Sequence, residues 1–157
     1  MTSAHPTPGP APRLSCELVP ASSWGHNLRS VLSSAGWNSL RRACYARAQG
    51  RCECCGRQDR LEAHERWEYD EARALQVLTA LVALCPRCHE VKHLGRALQT
   101  GRGRDAARWL MQVNGWTPDA TNAHIKQAFA DWERRSQLAW TLDLTQVGLG
   151  RIPPGAP

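Results

Sequence analysis

Polar and apolar positions along this chain change period several times, and each change marks an element. Trp37, Leu40, Cys44 and Ala48 recur at helical spacing, which predicts an amphipathic helix over residues 36–49, stopped by Gly50. Past a cysteine-rich turn, Leu61, Ala63, Glu65, Trp67 and Tyr69 fall on one face of a two-residue alternation, which predicts a strand over 61–69. The apolar run within 74–84 reads as a second strand closing an antiparallel hairpin; runs of this kind also suit a buried helix. From Pro86 the pattern is helical to about residue 98. Proline is tolerated in a first helical turn, where its missing N–H would have no partner.

A Gly- and Arg-rich break, "TGRGR", leads into a helix over 105–114 that ends at Gly115. Thr117 as N-cap and Pro118 as first helical residue open a last helix, with Ile125, Phe129 and Trp132 as its apolar stripe. The order is helix, hairpin, short helix and two further helices, an α+β class. Residues 1–22, rich in Pro, Ala and Ser, and residues 148–157, "GLGRIPPGAP", are expected to be disordered tails. One domain over 23–147 remains.

Composition adds three points. The chain carries a formal charge of +6, almost all of its positive side chains being arginine. Guanidinium groups grip phosphate bidentately, so a nucleic-acid partner is one expectation, beside a soluble domain that is merely basic. Seven tryptophans supply bulky anchors for a small fold. No apolar run reaches the roughly 20 residues needed to cross a bilayer, and the N-terminus lacks the apolar centre of a secretory signal. A cytoplasmic location is therefore expected, where thiols stay reduced and paired cysteines read as metal ligands.

Cys52 with Cys55, and Cys85 with Cys88, form two Cys-x-x-Cys pairs. Each pair delivers two thiolates from one tight turn, and two such turns close a tetrahedral site with no open position, as a structural Zn²⁺ requires. Cys54, inside "CECC", offers an alternative ligand. Cys16 and Cys44 have no such partner, and Cys44 is expected in the core as a small hydrophobe. His64 lies mid-strand, while His89 and His93 stand one helical turn apart and share a face. Such a helical pair can hold one metal ion with positions open to water and a phosphate. Each histidine singly also fits an ordinary structural role.

Taken in order, "RCECCG", "LEAHERWEYD" and "ALVALCPRCHEVKHLGRA" resemble the zinc-knuckle form of the HNH endonucleases, the ββα-metal nucleases, over residues 51–97. The resemblance implies a ββα-metal core within an HNH-like domain, flanked by further helices, with the helical part at about 103–147. It implies His64 as the general base that activates water, and His89 and His93 as ligands of a catalytic divalent metal such as Mg²⁺, Mn²⁺ or Ni²⁺. Cys52, Cys55, Cys85 and Cys88 would hold the structural zinc. The substrate implied is double-stranded DNA, cleaved by hydrolysis of its phosphodiester bonds. Arg96, Arg102, Arg104 and Arg108 follow the metal helix, and are expected to contact phosphate, with glycines letting the backbone approach.

Two positions depart from the family pattern. Ala63 stands where an Asp or His helps hold the metal, and Ala80 where an asparagine orients the strand histidine. Glu62, Glu65 or Asp70 could supply the missing carboxylate, with Glu62 on the strand face of His64. Trp67 and Tyr69 fit either core packing or a stacking platform for bases. The alternatives to a nuclease are a catalytically inactive HNH-fold module that binds nucleic acid or a protein partner, and a small structural zinc protein.

Overall fold

The computed structural model describes residues 10–156. Residues 1–9 and 157 of the two expected tails lie outside them. Among the described residues the helices are α1 (Leu28–Val31), α2 (Ser34–Ala48), α3 (Pro86–Lys92), α4 (Leu94–Gln99), α5 (Gly103–Asn114) and α6 (Pro118–Arg135). The strands are β1 (Glu62–Asp70), β2 (Leu75–Leu84), β3 (Thr141–Asp143) and β4 (Arg151–Ile152). The fold is mixed α and β. No helix among the described residues is long and apolar enough to cross a membrane.

The helix expected over 36–49 begins two residues earlier, where Ser33 accepts from the Gly36 N–H at 3.1 Å. It stops because Gln49 turns left-handed (φ 51°) and Gly50 follows at φ 74°. The expected hairpin forms. β1 and β2 pair antiparallel, with His64 opposite Val82, and the register shifts between Arg66 and Trp67. β3 adds parallel to β2, and β4 closes the sheet against β3. Val82, Leu84, Cys85, Cys88, Val91, Leu94 and Leu110 make the larger buried cluster, in which β2, α3, α4 and α5 meet.

The helix expected over 86–98 is two helices. The chain breaks at His93 (φ −103°, ψ 45°), which caps both. The "TGRGR" segment is the tight turn between α4 and α5. Gly101 is left-handed (φ 76°), and a Cβ on buried Gly103 would fall on the Leu98 side chain and 3.2 Å from its Cα. Both glycines are therefore needed for the turn itself, before any role in approaching a phosphate.

Two expectations of disorder are corrected. Leu14 is fully buried, and its N–H and carbonyl meet the side chain of Asn114 at 3.2 and 2.8 Å. The Cys16 N–H donates to His124 Nε2 at 3.0 Å, and Pro20 is also fully buried. Segment 14–20 is thus an ordered arm. At the other end, Asp143 binds the Thr145 N–H and hydroxyl and the Arg151 guanidinium, which holds β4 on β3.

Leu14→Ala is expected to cost about 3 kcal/mol by leaving a cavity in the core, read as a lower urea midpoint. A disordered arm would show no change. Asp143 is held at about 2, first by the Thr145 hydroxyl and then by Arg151. A depressed carboxyl stabilises the fold above its ordinary value of 3.8 and loses that contribution as pH falls through its folded one. Amide protection of β3–β4 is expected to fall from about pH 4 to pH 2, and to be low already at neutral pH in Asp143→Asn.

Candidate active site and metal centre

The first cysteine turn is built by its own backbone. Cys52 N–H donates to the Arg57 carbonyl at 2.8 Å, Gly56 N–H to the Cys52 carbonyl at 2.9 Å, and Gly56 takes φ 77°. Glu53 fastens this turn to the end of β2: its N–H donates to the Ala83 carbonyl at 2.9 Å, and its carboxylate accepts the Ala83 N–H at 2.7 Å. Cys85 is the N-cap of α3, with Pro86 in its first turn, so Cys88 and His89 follow within that turn.

The sulfurs of Cys52, Cys55, Cys85 and Cys88 all lie within 4.8 Å of one another. A tetrahedral ion with metal–sulfur bonds of about 2.3 Å needs sulfur–sulfur edges of roughly 3.8 Å. Cys55 Sγ and Cys85 Sγ are 3.8 Å apart. This cluster can therefore hold a metal such as zinc. The hydrogen bond from Cys88 draws the Cys52 thiol well below its ordinary value, against the opposing effect of burial. A thiolate is what a metal binds. Trp109 Nε1–H points at Cys88 Sγ at 3.3 Å, and Arg87 lies 3.8 Å from the centre of that indole ring. Cys54 is buried in the core outside the cluster, which answers the "CECC" ambiguity in favour of Cys52 and Cys55. Cys44 is buried too, as expected.

The same helix carries the second cluster. His64, His89 and His93 bring one ring nitrogen each within 4.8 Å of the others. Despite the break at His93, its N–H still donates to the His89 carbonyl, so the two rings stay on one face. Their Nε2 atoms stand 3.2 Å apart. Two imidazoles sharing an ion at about 2.1 Å would leave roughly that separation. His89 Nδ1–H donates to Glu62 at 2.7 Å, which leaves Nε2 as the lone-pair atom facing His93.

His64 Nε2–H donates to Glu17 at 2.7 Å, which leaves Nδ1 unprotonated. Glu17 comes from the ordered arm. Its other carboxylate oxygen accepts from the buried Lys92 ammonium, and its N–H donates to the Lys92 carbonyl at 3.1 Å. Burial alone would raise the Glu17 carboxyl, but the His64 hydrogen bond and the Lys92 charge hold it at about 2. Burial lowers His64 in spite of Glu17, and lowers His93 to about 4, helped by neighbouring positive charge. All three effects keep the rings neutral and the carboxylate charged at neutral pH.

Of the carboxylates considered from sequence, Glu62 reaches the cluster. Glu65 instead accepts the Leu28 and Arg29 N–H groups at the start of α1, and Asp70 pairs with Arg73 at 2.7 Å. Glu17 and Lys92 were missed. Nothing local in a Pro- and Ala-rich arm marks a glutamate that meets a histidine 47 positions away.

The three histidines open on a cavity of about 780 Å³. Among the four arginines expected at phosphate, only Arg96 lines it. Arg102 is tied to Glu90 and Arg108 lies 3.6 Å from Asp105, while Arg104 is exposed on α5 away from the cavity wall. Tyr69 packs on Trp140, with Arg135 over its ring at 4.5 Å, whereas Trp67 borders the cavity. Compared with known families, curated proteins and solved structures, the chain matches none.

Cys55→Ser is expected to lose the bound metal of the thiol cluster, and Cys54→Ser to retain one equivalent, measured by elemental analysis of the purified proteins. Equal loss in both would place Cys54 in the ligand set.

Proposed function

We propose that this chain is a metal-dependent endonuclease of the HNH, ββα-metal type that hydrolyses phosphodiester bonds in DNA. The observation that carries the reading is the convergence of His64, His89 and His93, each of the first two held in a defined tautomer by a carboxylate. The succession of β1, β2 and α3, with two cysteine pairs flanking the hairpin, supports it. Cys52, Cys55, Cys85 and Cys88 would hold a structural zinc, whose closed coordination leaves no place for substrate.

In the proposed reaction His64 Nδ1 takes the proton of a water as that water attacks phosphorus. Glu17 keeps the ring oriented and stabilises the imidazolium that forms, the part the family gives to the residue that Ala80 replaces. His89 and His93 would hold the divalent ion, with Glu62 fixing the His89 tautomer. Bound there, such an ion would offset charge developing on the phosphate and the leaving oxygen. Imidazole donors suit Ni²⁺ better than Mn²⁺ or Mg²⁺, which prefer oxygen. Arg96, on the cavity wall, would meet the phosphate chain.

Ala63 and Ala80 favour the second reading, an inactive HNH-fold module that binds nucleic acid or a protein partner. Against it stand the two carboxylates, which meet His64 and His89 from other positions.

Plasmid nicking with Ni²⁺, Mn²⁺ and Mg²⁺ decides between them. The parent is expected to nick, best with Ni²⁺, and a folded, zinc-loaded His64→Ala to be inactive. Glu17→Ala is expected to lower kcat about 10- to 100-fold with KM little changed, and Glu17→Gln to recover part of the loss. A zinc-loaded parent inactive with every metal would leave the binding module as the reading.

A further inference from the structure

The histidine cluster occupies one part of a cavity whose remaining wall has a use of its own. Trp24 is 61% exposed, the largest exposed apolar side chain among the described residues. An indole left in water is normally mobile, but this one is fixed. Its Nε1–H donates to the Val19 carbonyl at 2.9 Å, and Trp132 donates to the same carbonyl at 3.0 Å. The two rings lie 6.5 Å apart at a tilt of 31°, so Trp132 is an aromatic neighbour of Trp24 held by the same carbonyl. Trp37 and Trp67 border the same cavity.

Charge follows the aromatic wall. Arg29 and Arg96 line the cavity, and neither has an acidic partner among the described residues. Arg29 lies 5.9 Å from the Trp37 ring centre. The carboxylate that faces this wall, Glu65, is spent on the Leu28 and Arg29 N–H groups. The cavity therefore combines rigid aromatic faces, unpaired guanidiniums and, at one end, the histidines.

We infer that this cavity receives unpaired nucleotides of DNA, with a base stacked on Trp24 and the adjoining phosphate chain led past Arg96 to the histidines. The inference rests on the nuclease reading and narrows its substrate from intact duplex to DNA with unstacked bases. Size points the same way: about 780 Å³ lies within the range of pockets that enclose one small ligand. That is room for a nucleotide or two taken out of the stack, and not for a base-paired helix. Every base offers a π-face, so such a platform grips single strands with little regard to sequence. A protein partner is the poorer fit, because the free charge on this wall is arginine and the cavity runs on into the histidine site.

The test is fluorescence anisotropy with the full-length, zinc-loaded chain and no other divalent metal added, so that binding is read without cleavage. The probes are a labelled single-stranded DNA oligonucleotide and the blunt duplex of the same sequence. The parent is expected to bind the single strand at least about tenfold more tightly than the duplex, and Trp24→Ala to lose about tenfold of that affinity. Trp24→Phe, which keeps a ring in place, should retain most of it. Because Trp24 is largely exposed, zinc content and circular dichroism of Trp24→Ala should match the parent. Equal or tighter binding of duplex, or single-strand binding unchanged in Trp24→Ala, overturns the inference, and leaves the nuclease reading standing if the parent still nicks plasmid. Failure to bind either probe, together with no nicking, overturns both.

Discussion

The convergence of four cysteine sulfurs is the constraint on which the rest of this structure depends. Cys52 and Cys55 precede the hairpin, and Cys85 and Cys88 follow it, so drawing them within 4.8 Å closes the β1–β2 unit into a loop. Closing a loop of this length costs entropy that a metal held by the four sulfurs would offset. The closure also aims α3. His89 is the residue after Cys88 and His93 lies one turn further, so neither histidine can be placed independently of the sulfurs. Glu53 on one side and Trp109 on the other brace the cluster against β2 and α5. The histidine site inherits its geometry from the cysteine site.

What could be read from sequence divides along a physical line. Short-range rules found α2, the hairpin, the start of α3, and α6 with its Thr117 cap and Pro118, because spacing and caps are local properties of the chain. They missed what depends on distant partners. The helix expected over 86–98 breaks at His93, two residues before Gly95, where the apolar spacing marks no stop. The arm shows this most clearly. Its composition reads as disorder, yet Leu14 is buried against Asn114, 100 positions away, and Glu17 lies between His64 and Lys92. The strands β3 and β4 are too short to carry a period; β3 pairs with the edge of β2, and β4 with β3.

Net charge was a weaker guide than position. Arg102 and Arg108, both expected at phosphate, face Glu90 and Asp105, and Arg134 and Arg135 share Glu71. An arginine already hydrogen-bonded to a carboxylate has less to offer a phosphate, since the ion pair must be broken first. Arg29 and Arg96 carry no such cost, and both lie on the cavity wall. The same distinction applies to the tryptophans: Trp140 is buried under Tyr69, while Trp24 stands exposed and fixed.

The alanines at 63 and 80 change what the proposed chemistry demands of its neighbours. A strand histidine without an orienting partner would rotate about its ring axis and present either nitrogen. Glu17 removes that freedom from outside the hairpin, and it does so with a full negative charge where the family uses a neutral amide. A lone buried carboxylate would bind a proton on His64 tightly and make the ring a base that does not let go. Lys92 moderates this: its ammonium shares Glu17, and its charge opposes protonation of His64. Burial adds to the same effect, so the ring stays neutral in spite of the carboxylate at 2.7 Å. In the proposed reaction such a ring would accept a proton only when water loses one, and would return it readily afterwards, which is the balance proton transfer near neutral pH requires. Under that proposal Glu17 and Lys92 would act on His64 as one device, the carboxylate orienting the ring and the ammonium limiting its hold on a proton.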